Sequence, residues 1–130
     1  KHITVCMGIL DDKENTLVYS IAGHHPLPII YENGEARFIE PEKSSFPIGL
    51  LAEATYFNEK ISLSDDFALF LFSDGILEHL SGKDMAEQEA KILTVINDCK
   101  GDFKKVKTGL NLHRGIKVPD DIAVLSATRL

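Results

Sequence analysis

The stretch Phe67-Ala68-Leu69-Phe70-Leu71-Phe72-Ser73-Asp74-Gly75 decides how this chain is read. An unbroken apolar run, bounded by Asp65-Asp66 on one side and Ser-Asp-Gly on the other, has the length of a strand and no polar alternation. It is therefore expected to be a strand buried on both faces. Asp74 closes it. A second acidic pair, Asp120-Asp121, stands directly before another apolar run, Ile122-Ala123-Val124-Leu125-Ser126-Ala127. If the two strands are antiparallel neighbours, the end of one meets the start of the other, and the carboxylates gather at one rim of the sheet. Carboxylates brought together repel, and a hard divalent cation relieves that repulsion.

Toward the N-terminus the chain reads as strands. Ile3 to Leu10 and Thr16 to Ala22 flank the polar turn Asp11-Asp12-Lys13-Glu14-Asn15 and make a hairpin. Gly23-His24-His25-Pro26-Leu27-Pro28 is a proline-punctuated loop. Pro28 to Glu32 and Ala36 to Ile39 flank Asn33-Gly34, the pair that favours a type I′ turn, so a second hairpin is expected. Glu40 to Ala54 is a loop carrying Phe46-Pro47-Ile48-Gly49-Leu50, and Tyr56 to Leu63 alternates like a strand.

After Gly75 the period changes. Ile76 to Leu80 reads as a short helical turn. Asp84 with Glu87 three residues on resembles a capping box, and Ala86, Ala90, Leu93 and Ile96 fall on one helical face. Phe103, Val106, Leu110 and His113 form a weaker helical stripe, interrupted by Gly109 and stopped by Gly115. Strands first, helices next and one strand last indicate an α+β fold, an antiparallel sheet covered by helices.

The 130 residues suffice for one domain with a real core, and 44% apolar content makes the chain globular. The net charge of −6 argues against non-specific nucleic-acid binding, which needs a basic footprint. No apolar stretch is long enough for a membrane span and no leader pattern is present, so a cytoplasmic setting is expected. Cys6 and Cys99, far apart and without CxxC spacing, read as two reduced, buried thiols. The chain opens with Lys1 and enters a strand almost at once, as a piece of something longer would.

Taken singly, the acidic motifs have plain readings. Ser73-Asp74-Gly75 fits a helix cap or turn, and Asp120-Asp121 a solvated turn. At opposite ends of two apolar strands they are more specific. His24 and His25 are adjacent and would point apart in extended structure, which suits a loop or hydrogen-bonding role better than a shared metal. His79 and His113 fall in helical segments. No serine stands in a nucleophile elbow, and Gly8, Gly23 and Gly34 are too isolated for a phosphate-binding loop.

The motifs Ala22-Gly23-His24-His25-Pro26-Leu27-Pro28, Phe46-Pro47-Ile48-Gly49-Leu50, Leu71-Phe72-Ser73-Asp74-Gly75 and Pro119-Asp120-Asp121-Ile122-Ala123-Val124-Leu125 together resemble one family in order and spacing. It is the bacterial sporulation-stage-II-E and stress-regulator branch of the metal-dependent, protein phosphatase 2C-like (PPM) serine/threonine phosphatases. The resemblance covers nearly the whole chain. It implies an antiparallel β-sandwich flanked by helices, with residues 1–130 forming a single, partial domain.

It further implies a two-metal site for Mn²⁺ or Mg²⁺, with Asp74 and Asp120 as metal ligands and no other catalytic residue in this stretch. Asp121 and Gly75 would support those ligands, while Gly23 and His24 belong to a family motif with no catalytic role assigned. The implied reaction is hydrolysis of phosphoserine or phosphothreonine on a regulatory protein, such as an anti-sigma-factor antagonist. A sensor or receiver domain is expected upstream in the same chain. The family's upstream aspartate and Asp-x-Ser-Gly-His-Gly-like segment do not occur here. Two alternatives follow: the C-terminal portion of a larger catalytic domain, or a degenerate phosphatase-like module that binds a signalling partner without turnover.

Overall fold

The computed structural model describes residues 1–129. Along the chain run β1 (Val5–Asp11), β2 (Thr16–Ala22), β3 (Ile29–Glu32), β4 (Glu35–Phe38), β5 (Glu59–Ser62), β6 (Phe67–Phe72), α1 (Gly75–His79), α2 (Met85–Asp98), α3 (Phe103–Gly109) and β7 (Val124–Arg129). The strands make two antiparallel sheets, in the orders β1-β2-β5 and β4-β3-β6-β7, so the fold is α+β as expected. The chain divides into two compact units. One comprises Lys1–His24 with Glu40–Asp65, the other His25–Ile39 with the chain from Asp66 onward. Among the described residues no helix is long and apolar enough to cross a membrane.

In the first unit, the Asp11 carboxylate turns the β1–β2 hairpin by accepting the Lys13 and Glu14 N–H groups at 3.0 Å each. Leu17, Tyr19 and Ile21 alternate along β2 and are buried. The edge strand β1 is different: Met7 and Ile9 are exposed although their strand reads as apolar. The loop after residue 40 folds back on the sheet. Ile3 and Ile48 exchange backbone hydrogen bonds of 2.9 and 2.8 Å, and Gly23 N–H donates to Ser45 O at 3.0 Å. Expected as a strand from Tyr56 to Leu63, β5 is confined to Glu59–Ser62.

In the second unit β6 is central, between β3 and β7, and is buried on both faces except for half-buried Leu71. Its Ala68, Phe70 and Phe72 join Ile29 of β3 in a core with Ile92 and Ile96 of α2, Val106 of α3 and Leu110. Each of these large side chains contributes about 1.5–3 kcal/mol by leaving water. Asn33 and Gly34 both have positive φ, 53° and 84°, which is the type I′ turn expected between β3 and β4.

The helices depart from expectation in detail. At the start of α2 the Asp84 carboxylate accepts the Glu87 N–H at 2.9 Å, while Glu87 reaches past the cap to the Lys83 N–H at 2.7 Å. The buried face of α2 runs through Ile92 and Ile96. Ala86 and Ala90 are exposed, because these small side chains do not define the stripe that the larger isoleucines bury. The α3 helix ends at Gly109 rather than continuing through His113 to Gly115. Asn111 takes a left-handed conformation (φ 56°), Asn111 N–H bonds Thr108 O at 3.0 Å and Leu112 N–H bonds Lys107 O at 2.8 Å. That pattern satisfies the terminal carbonyls and ends the helix. Cys6 and Cys99 are free, but half-buried rather than buried; burial pushes the Cys6 thiol up from its ordinary pKa.

Candidate functional site

The rim where β6 ends and β7 begins is assembled by backbone more than by charge. The antiparallel register places Phe72 opposite Val124, so Ser73-Asp74-Gly75 and Asp120-Asp121 come to the same end of the sheet. Ser73 clasps the two segments. Its N–H donates to Ala123 O at 3.0 Å, its Oγ accepts the Ala123 N–H at 2.8 Å, and that hydroxyl donates to Asp121 O at 3.1 Å. Because a side chain takes the Ala123 N–H, the regular ladder begins at Val124 and not at Ile122, where the sequence pattern puts it.

Gly75 completes the junction. It is buried, and a Cβ there would lie 3.0 Å from the Asp121 carbonyl carbon and 3.3 Å from that of Asp120, and nearer still to the Asp121 oxygen. Only a residue without a side chain lets the backbone of the Asp-Gly turn lie against the backbone of the acidic pair.

The three aspartates are all exposed, so no buried charge has to be compensated. Asp74 occupies the N-cap position of α1, yet its side chain makes no capping hydrogen bond. The plain reading of this residue as a helix cap therefore lacks its defining interaction. Asp120 Oδ1 accepts the Asp121 N–H at 2.8 Å, which orients one carboxylate oxygen. Asp121 acts through its backbone, giving its carbonyl to Ser73 and its N–H to Asp120.

These groups offer hard oxygen donors of the kind that bind Mg²⁺ or Mn²⁺. They fit one flank of such a site only: among the described residues no group of three or more His, Cys, Asp or Glu side chains is placed to hold a metal ion.

Gly23 and His24 belong to the first unit, where Gly23 has a local packing role. Gly23 has φ +63°, and a Cβ on it would come within 2.6 Å of Pro47 Cδ. The Ala-Gly-His and Pro-Ile-Gly motifs thus read as one packing contact between distant segments. His25 Nε2 lies 3.1 Å from Glu89 Oε1 of α2, an ion-pair contact within the second unit. His79 donates from Nε2 to Leu110 O at 3.0 Å, tying α1 to the end of α3. The residue that sequence reasoning passed over is Ser73. Its signal was its place in the Ser-Asp-Gly triplet, where it reads as a cap and in fact bonds across the sheet.

A family model for stage II sporulation protein E matches residues 1–130. Among solved structures, the RsbU and RsbW domains of a Mycobacterium tuberculosis protein superpose with a TM-score of 0.79 at 23% identity, covering 97% of this chain and 37% of that one. The PP2C phosphatase domain with a fragment of the regulatory domain of SpoIIE from Bacillus subtilis gives 0.67 at 20% identity, covering 98% and 37%. A manganese-presoaked form of the Bacillus subtilis SpoIIE phosphatase domain gives 0.64 at 15% identity, covering 97% and 56%. The chain therefore matches PP2C-type phosphatase domains in fold and spans between 37% and 56% of the length of these three structures.

Proposed function

The chain belongs to the stage II sporulation protein E family, and on that premise we propose that it supplies the late part of a metal-dependent phosphoserine/phosphothreonine phosphatase site. The observation that carries the reading is the seating of Gly75 on the Asp120–Asp121 backbone, clasped by Ser73, which brings Asp74 and Asp120 to one rim. Both units are read as parts of one phosphatase-type domain, of which this chain is the C-terminal portion.

Asp74 and Asp120 are the residues that would hold Mn²⁺ or Mg²⁺. When bound, such ions supply an activated water and neutralise charge on the phosphoryl oxygens. The chain's own part is positioning. Asp74 presents a carboxylate not engaged in capping, Asp120 one oriented by the Asp121 N–H, and Ser73 keeps the two segments in register. Further oxygen ligands have to come from outside this set.

The substrate is read as a phosphorylated regulatory protein, such as an anti-sigma-factor antagonist, in a cytoplasmic signalling chain that also carries a sensor or receiver domain. The mycobacterial relative, which joins an RsbU to an RsbW domain, supports a modular setting. The lack of a three-member ligand cluster among the described residues favours a second reading, a partner-binding module without turnover.

The test separates them. Asp74→Asn in the natural full-length protein should leave the circular dichroism spectrum unchanged, since Asn is nearly isosteric and the side chain caps nothing. Mn²⁺-dependent phosphate release from a phosphoserine peptide should fall by about 100-fold or more, at least the upper effect of losing a residue that merely supports a ligand. Hydrolysis near the wild-type rate by the Asn variant would remove Asp74 from the site. No hydrolysis by the wild type would favour the binding module.

A further inference from the structure

The charge of this chain is unevenly distributed. Between residues 103 and 119 there are five basic residues, Lys104, Lys105, Lys107, Arg114 and Lys117, and no Asp or Glu, in a chain whose net charge is −6. This stretch makes up α3 and the lead-in to β7, which together border a groove of about 470 Å³. Its apolar lining includes Phe103, Ile116 and Ile122, and Lys107, His113 and Arg114 also line it. Asp121 is its sole acidic lining residue, and the same Asp121 holds the Ser73 clasp. The groove therefore opens beside the aspartate rim.

The cations are available. Lys107 Nζ stands over the Phe103 ring, 5.1 Å from its centroid, which places a charge at the groove. The Arg114 side chain is exposed and forms no salt bridge among the described residues. The volume lies within the 300–1,000 Å³ or so usual for ligand clefts, ample for an apolar side chain and its neighbours. An apolar floor walled by Lys107 and Arg114, neither in a salt bridge among the described residues, is complementary to a peptide that carries an apolar residue flanked by acids.

We propose that this groove docks an acidic peptide segment of the phosphoprotein substrate, next to the phosphorylated residue. The proposal rests on the phosphatase reading for the identity of its occupant, and the groove itself can be tested without turnover. Docking of this kind concentrates the substrate at the rim without altering the chemical step. It should therefore appear in KM and leave kcat unchanged.

The experiment uses the natural full-length protein and two fluorescein-labelled peptides, Glu-Asp-Leu-Glu-Asp and Lys-Lys-Leu-Lys-Lys. Fluorescence anisotropy is read in EDTA, so that binding is separated from hydrolysis. The acidic peptide should bind about tenfold or more tightly than the basic one, and lose affinity as salt rises. Lys107→Glu with Arg114→Glu should weaken it by about tenfold or more. If that double variant does not fold, Arg114→Gln carries the test, with about a threefold loss expected for one exposed charge.

In the kinetic arm, the double variant should raise KM for a phosphoserine peptide with acidic flanks and leave hydrolysis of para-nitrophenyl phosphate unchanged. Equal binding of the two peptides, or binding indifferent to both sets of variants, overturns the proposal even if the enzyme is active. Charge-dependent binding of the acidic peptide by a protein that hydrolyses neither substrate leaves the groove standing and overturns the phosphatase reading instead.

Discussion

Gly75 shows how a single residue can shape a site without touching a ligand. Its missing side chain lets the Asp74 turn rest on the Asp120–Asp121 backbone, so the spacing of the two acidic segments depends on it. Gly75→Ala should cost about 1–3 kcal/mol, because a methyl group forced against backbone requires the strands to move. The loss should appear as a lower midpoint in thermal unfolding, and the displaced β7 lead-in should reduce any metal-dependent activity of the full-length protein as well. An unchanged midpoint would mean that the junction relaxes freely and does not position the aspartates. Ser73 works on the same principle with polar atoms: its hydroxyl serves as acceptor and donor across the sheet, satisfying the Ala123 N–H and the Asp121 carbonyl.

At the scale of elements, β5 is linked to the loop before it by one carboxylate. Glu59 accepts the N–H groups of Glu42 and Lys43, at 2.9 and 3.2 Å, and the hydroxyl of Tyr19 at 3.0 Å. Partial burial by itself would raise the Glu59 pKa. The two backbone donors, the tyrosine hydroxyl and the Lys43 charge outweigh it, and the pKa lies below the ordinary glutamate range. A depressed folded-state pKa means that the stabilisation is fully present above the unfolded-state value, about 4.3, and is lost as pH falls through the lower folded-state value. Glu59→Gln should therefore lower the unfolding midpoint by a constant amount near neutral pH. The gap between variant and wild type should close on acidification below about pH 4. A gap independent of pH would show that the carboxylate charge plays no part in holding this loop.

For the whole molecule, the ligand inventory sets the expectation. Of the three aspartates at the rim the proposed site uses two as ligands, Asp74 and Asp120, and hard cations depend on the number and charge of their oxygen ligands. Purified residues 1–130, once shown to be folded by circular dichroism, should bind Mn²⁺ with a Kd weaker than about 10⁻⁴ M. They should release no appreciable phosphate from a phosphoserine protein in millimolar Mn²⁺. Robust turnover that Asp74→Asn abolishes would prove that this stretch holds a complete site. Such an outcome would place further ligands among residues that the present reading leaves structural.

Much of the architecture is local information. The unbroken run from Phe67 to Phe72 dictates a strand covered on both sides, since alternation is what a half-exposed strand requires. Asn33-Gly34 dictates its turn through the positive φ that both positions accept, and Asp84 starts its helix through a short-range hydrogen bond. The order of strands and helices, the charge, and the acidic motifs at strand ends were legible for the same reason.

What required the tertiary structure were contacts between residues far apart in sequence. Gly23 and Pro47 read as separate motifs until the fold packs one on the other. The exposure of Met7 and Ile9, of Ala86 and of Ala90 could not be read from their apolar character, because burial depends on what covers a face. The early end of α3 was set by a left-handed Asn111, which competed with a stripe that could have continued. The Ser73 clasp was invisible for the deepest reason. A serine before Asp-Gly caps a helix as well as it bonds a neighbouring strand, and only the arrival of Asp121 and Ala123 from fifty residues downstream decides between them.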